Sequence, residues 1–171
     1  VQPNSLYPVH VFADTGGHTL TSWSFKLDFD SSLFTYESTT KDAGWVSDPS
    51  VTNTTTWSND NLVERRILVV TLTGNQPRIG TEVQLAVVNL RLKNGVSDGD
   101  YDRAINGTVL HMVNSGTRQF VTNGIMQMND ARGGAHTSVA LTVDASPVGT
   151  PNTLFGLGSN ISNALPSTCF F

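Results

Sequence analysis

Leu20-Thr21-Ser22-Trp23-Ser24-Phe25-Lys26-Leu27-Asp28-Phe29-Asp30 decides the fold class. Trp23, Phe25, Leu27 and Phe29 fall on one side of an extended chain, and Ser24, Lys26, Asp28 and Asp30 on the other. Side chains alternate with period two in a strand, so this stretch predicts a half-buried β-strand with an aromatic core face. The same signature spreads outward from it. Residues 7–13 alternate in part through Val9 and Val11. Residues 67–72 are a continuous β-branched run that fits a central sandwich strand. Residues 83–92 form another strand, with a phase break near Val87-Val88 that predicts a bulge. Residues 108–113, 118–122, 124–128 and 137–143 complete the set, and Phe34-Thr35-Tyr36 extends the region after Asp30.

Turn chemistry separates these runs. Asp14-Thr15-Gly16-Gly17, Gly74-Asn75-Gln76-Pro77, Asn94-Gly95, Asn114-Ser115-Gly116 and Gly133-Gly134 are breakers. Asn123-Gly124 between two short runs reads as a tight hairpin. No long segment has helical periodicity. Many short strands at this spacing predict an all-β, two-sheet sandwich of eight or nine strands, with a C-terminal extension. The domain is expected over residues 1–146. Residues 147–171 read as a linker with Pro147, Gly149 and Pro151, followed by an apolar tail. Leu154, Phe155, Leu157, Cys169, Phe170 and Phe171 make that tail a docking or interaction segment, because such residues do not stay exposed. They dock on this domain, start another, or insert into a neighbour. The opening at Val1 reads as a mature or excised form.

Composition narrows the function classes. The chain has 171 residues, a net charge of −4 and only 14% charged residues, against roughly 25% in ordinary soluble domains. Its surface polarity comes instead from Ser, Thr and Asn, as in Thr52-Asn53-Thr54-Thr55-Thr56. The 10 basic residues are scattered, which argues against nucleic acid and anionic membrane. No apolar run reaches the ~20 residues of a membrane-spanning helix. A single cysteine rules out an internal disulfide and leaves Cys169 as a free thiol or a link to another chain. Asn53, Asn106 and Asn160 each head an Asn-x-Ser/Thr acceptor for N-linked glycan.

Chemistry-bearing groups are sparse. Asp98, Asp100 and Asp102 are the calcium candidate, since alternating carboxylates in a loop can supply oxygen ligands. The EF-hand pattern fails, with Arg103 where Gly is required and Val109 where the bidentate Glu belongs; a solvated acidic turn is the plainer reading. Asp28 and Asp30 precede a turn and read as its caps. His10, His18, His111 and His136 show no metal-ligand spacing. No nucleophile elbow or paired catalytic carboxylates stand out, so no catalytic residue, metal or cofactor is assigned. Trp45, after Gly44, and Trp57, in a Thr-rich stretch, are candidates for stacking on sugar rings.

Residues 9–13, with Leu20 to Phe25 and Lys26-Leu27-Asp28-Phe29-Asp30-Ser31-Ser32-Leu33, resemble the early strands of cohesin-like domains, in which an aromatic-Asp pair ends a strand and a short turn leads to Leu. Residues 83–93 look like the strand those domains carry before a Gly/Asp-rich loop. The resemblance covers roughly residues 5–143. It implies a nine-stranded jelly-roll sandwich, non-enzymatic, with one sheet surface as its binding face. Cohesins hold dockerin modules, and related modules occur in ectodomains of large eukaryotic surface proteins. No dockerin-contact motif is matched. The expected function is a non-catalytic protein–protein assembly module, extracellular or at the cell surface, within a surface glycoprotein, adhesion ectodomain or fibre. Its partner would be another protein or copies of itself. The alternative is a carbohydrate-binding module.

Overall fold

The Trp23–Phe29 stripe lies against a second apolar face. A computed structural model describes residues 1–57, 64–74, 76–116, 119–129, 138–143 and 167–170. These form eleven strands and no helix. β1 (Leu6–Ala13), β3 (Phe34–Lys41), β6 (Val83–Leu92), β9 (Gln127–Asn129) and β11 (Ser167–Phe170) build sheet A, in the order β3-β6-β1-β11-β9. β2 (Leu20–Asp30), β4 (Ser50–Trp57), β5 (Glu64–Leu72), β7 (Gly99–Asn114) and β10 (Ser138–Val143) build sheet B, in the order β10-β7-β2-β5-β4. β8 (Gln119–Ile125) also pairs with β7. The chain passes back and forth between the sheets, so almost every apolar face closes against a strand distant in sequence.

Trp23, Phe25, Leu27, Phe29, Leu68, Val70, Leu72, Ile105, Val109 and Met112 from sheet B meet Val9, Val11, Ala13, Leu85, Val88, Leu90, Leu92 and Phe34 from sheet A. The inner face of β2 is fully buried along its length. Fully burying one such side chain is worth ~1.5–3 kcal/mol, so this two-sided stripe is what holds the sheets together. β5 lies between β2 and β4, as its β-branched run requires.

Two local expectations are corrected. Asn123-Gly124 does not turn: Gly124 is opposite Val109 within β8. The chain instead changes sheets at the fully buried Met126, between β8 and β9. A buried Met anchors that crossover, so packing outweighs the local turn preference. The irregularity in β6 falls earlier than Val87-Val88. Val11 pairs with Ala86 and Phe12 with Gln84, leaving Leu85 as the extra residue, and Leu85 and Ala86 are both buried. Two strands not named from the sequence, β4 and β11, join the sandwich, because neither has an alternating apolar pattern. β4 is a polar edge strand, and β11 belongs to the tail.

Candidate functional site

Four regions bear on function: the outer face of sheet B, the Trp45 end of the sandwich, the strand supplied by the tail, and a cleft between the sheet edges.

On the outer face of sheet B, registered rows run Thr52–Val69–Lys26–Thr108 and Thr54–Ile67–Asp28–Asn106. Ile67 and Val69 are half-buried there, among hydroxyls and amides. Ser24 and Thr71 share a hydroxyl–hydroxyl bond of 2.7 Å. The Arg65 guanidinium pairs with the Asp28 carboxylate and donates from Nη2 to the carbonyls of Asp28 (3.0 Å) and Arg103 (3.1 Å). Arg103 has a left-handed backbone, φ +53°, an unusual conformation for a non-glycine residue, and Arg65 fixes its carbonyl. Asp28 is therefore an ion-pair partner rather than a turn cap. Asp30 does cap: its Oδ1 accepts from Ser32 N (2.7 Å) and Ser32 Oγ (2.6 Å).

Trp45 is not a sugar platform. Its side chain is 1% exposed. It meets Trp23 edge-on at 6.1 Å and donates its indole N–H to the Gln84 carbonyl at 2.9 Å. The Arg78 guanidinium lies 5.2 Å from its ring centroid. Arg78 Nη1 also donates to Asp42 Oδ2 at 2.6 Å, and Gly44 N donates to the same oxygen at 3.0 Å. Residues 42–45 thus fold a plug over the open end of the sandwich. A Cβ at Gly44 would stand 2.6 Å from the Arg78 guanidinium and push that flexible side chain away from Asp42. The place of Trp45 after Gly44, the ground for reading it as a stacking candidate, instead turns the ring in against Trp23 and Arg78. Trp57 ends β4, opposite Glu64; its side chain lies outside the described residues.

Burial acts most strongly on the Asp42 carboxyl and pushes its pKa up. The Gly44 N–H, the Arg78 hydrogen bond and charge, and the Ala43 N–H together outweigh burial and hold it below the ordinary 3.8. A carboxyl depressed in the folded state adds stability that is fully present above the unfolded pKa and is lost as pH falls through the folded one. Acid titration of stability should therefore show a loss beginning below about pH 4, and Asp42→Asn should flatten that limb. Circular dichroism of thermal unfolding between pH 7 and pH 2 reads both. An unchanged acid limb in the variant would exclude this linkage.

The calcium candidate is not assembled. Among the described residues no three His, Cys, Asp or Glu side chains converge on a point that could hold a metal. Asp100 accepts from Thr142 Oγ1 at 2.7 Å. Asp100 and Asp102 lie within strand β7 and Asp98 precedes it, so the extended backbone spreads carboxylates that a loop would gather.

The tail returns to the domain. β11 runs parallel to β1 in the register Val9↔Ser167, His10↔Thr168 and Val11↔Cys169. Its other edge runs antiparallel to β9, with Thr168↔Asn129, Cys169↔Met128 and Phe170↔Gln127. Cys169 and Phe170 are thus placed inside sheet A. Leu154, Phe155, Leu157, Asn160 and Phe171 lie outside the described residues. Of the other acceptor asparagines, Asn106 is half-buried within β7, between Asp28 of β2 and Ser138 of β10, and Asn53 is exposed on the edge strand β4.

Asn53 also lines a cleft of about 240 Å³ that opens between the β3 and β4 edges, with Phe29, Phe34, Tyr36, Glu64, Arg66 and Lys93 around it. Sequence reasoning missed this cleft. Its walls come from four separate stretches of the chain, and only the pairing of the sheets brings them together.

No family model matches the sequence, and no curated protein matches it. Among solved structures, the seventh ScaB type I cohesin from Pseudobacteroides cellulosolvens is similar in fold, with a TM-score of 0.50 at 11% sequence identity. The alignment covers 83% of this chain and 95% of the cohesin. The chain therefore has a cohesin-like β-sandwich fold.

Proposed function

We propose that the chain is a non-catalytic module for protein–protein assembly outside the cell, working within a surface glycoprotein, an adhesion ectodomain or a fibre. The observation that carries this reading is the position of β11 between β1 and β9. An inner position of sheet A is filled by a four-residue strand that arrives from the apolar tail. Strand addition gives affinity through main-chain hydrogen bonds, and such a position accepts the same strand from its own chain or from a second copy. Head-to-tail exchange that does not close on itself generates a filament. The cohesin-like fold supports the reading, because the resemblance implies a non-enzymatic module that binds through a sheet surface. The outer face of sheet B offers such a surface, with half-buried Ile67 and Val69 in a weakly charged, hydroxyl-rich field. The alternative of a carbohydrate-binding module loses Trp45 to the core.

The test mixes full-length chain with a chain ending at residue 143 and reads the mixture by native mass spectrometry and electron microscopy. The truncated acceptor should capture the tail of the full-length donor and form a mixed complex. Full-length chain alone should form higher assemblies as concentration rises, and truncated chain alone should not. A truncated chain that polymerises as well as the full-length one would overturn the proposal. So would the absence of any mixed complex together with a full-length chain that stays monomeric.

A further inference from the structure

We propose that the cleft between the β3 and β4 edges holds the first sugar of an N-linked glycan carried by Asn53, making that glycan a packed part of the domain. Asn53 pairs in register with Leu68, which is fully buried on the inner face of sheet B. Asn53 therefore occupies an inward position of β4, where alternation would call for an apolar residue. Two residues earlier the same side of the strand carries Val51, which packs against the core. An amide at this position is explained if its substituent is meant to fill the space beyond it.

The space has the right scale and chemistry. At about 240 Å³ it is below the ~300 Å³ at which pockets for drug-sized ligands begin, yet it has room for one pyranose ring. Its apolar side is the half-buried Tyr36 ring, backed by the fully buried Phe29 and Phe34, which meet edge-to-face at 6.4 Å beneath it. Its rim is polar, with Ser31, Thr35, Glu64, Arg66 and Lys93. An N-acetylglucosamine has the same two-sided character, a C–H face and a rim of hydroxyl and acetamide groups. Arg66 is half-exposed and its Nε stands 3.9 Å from Glu64 Oε1, too far for a hydrogen bond, which leaves a cation on the rim. The sequon Asn53-Thr54-Thr55 sets the attachment point on the cleft wall itself. The asparagine of the second sequon, Asn106, is flanked by strands on both sides.

The chain is produced in a secretory eukaryotic host that adds high-mannose glycans, and glycopeptide mass spectrometry reads occupancy at Asn53. Thermal unfolding then compares Thr55→Ala, which removes the sequon, with Thr54→Ala, which keeps it on the same exposed strand. Thr55→Ala should unfold several degrees lower than Thr54→Ala. Trimming the Thr54→Ala protein to a single sugar with endoglycosidase H should leave its midpoint unchanged, because the first sugar makes the contact. Adding Tyr36→Ala should abolish the difference between the two threonine variants, as coupling through a shared contact requires. An unoccupied Asn53, or equal midpoints for the two threonine variants at full occupancy, would overturn the proposal. Both threonine variants carry the same tail and are compared at one protein concentration, so assembly shifts their midpoints alike, and this inference and the assembly reading fail separately.

Discussion

Trp45→Ala should be the most damaging single substitution outside the strands, costing about 3–5 kcal/mol of stability, the range for truncating a buried Trp. The plug it anchors has several parts. The ring fills the end of the sandwich against Trp23, its N–H satisfies the Gln84 carbonyl, and its face carries the Arg78 guanidinium. Losing it leaves a cavity, a Gln84 carbonyl held only by the long 3.4 Å bond from Arg78 Nη1, and an Arg78–Asp42 pair with no apolar backing. In a domain of this size the midpoint should fall by roughly 10 °C or more. Trp45→Phe keeps most of the volume and loses the hydrogen bond, so its cost should be well under half as large. Arg78→Ala should be smaller again, because a partly exposed cation–π contact is worth ~0.5–1 kcal/mol. Chemical denaturation monitored by fluorescence and circular dichroism reads all three. A Trp45→Ala protein that unfolds with the wild type would show an indole outside the core and would restore it as a candidate for sugar contact.

That expectation also shows what a sequence can and cannot reveal here. The β2 stripe was legible because alternation over eight residues leaves no other arrangement for Trp23 to Phe29. The run at residues 67–72 was legible as a central strand for a different reason, its unbroken β-branched-rich composition. Trp45 was not. Its neighbours Ala43, Gly44 and Val46 carry no periodicity, and what buries it are Trp23, Gln84 and Arg78, each at least 22 positions away. β4 was illegible for a different reason. Thr52 to Thr55 are all exposed, and an edge strand beside Ile67 and Val69 needs no apolar alternation to pair. Asp28 and Asp30 look alike in the sequence, but the first meets Arg65 across the β2–β5 ladder and the second caps its own turn. Only the register separates them. The cleft at Asn53 is the extreme case, since its sequon is visible at once while the inward orientation depends on Asn53 facing Leu68.

Removing β11 should weaken one edge of the molecule selectively. A chain carrying Thr168→Pro loses a main-chain donor in a strand paired on both sides, and proline is not tolerated at such inner positions. β1 and β9 would each lose the partner they share across three registered pairs. At roughly 0.5–1.5 kcal/mol per net hydrogen bond, the loss is on the order of 3 kcal/mol. Sheet B does not depend on β11: β2, β5 and β7 pair among themselves, and within sheet A β1 keeps its full register with β6. Hydrogen exchange should therefore show amide protection falling at residues 9–11 and 127–129 in the variant while it persists through Trp23–Phe29 and Leu68–Leu72. A synthetic peptide spanning residues 164–171, added in excess, should restore protection at residues 9–11, because the slot between β1 and β9 then takes its strand from outside. Protection at residues 9–11 that is unchanged by Thr168→Pro would mean that β11 does not pair with β1. Protection that falls but is not restored by the peptide would mean that the slot collapses once emptied, leaving no acceptor for a neighbour's tail. Only a slot that empties and refills can turn a fold closed by its own last strand into a link between chains.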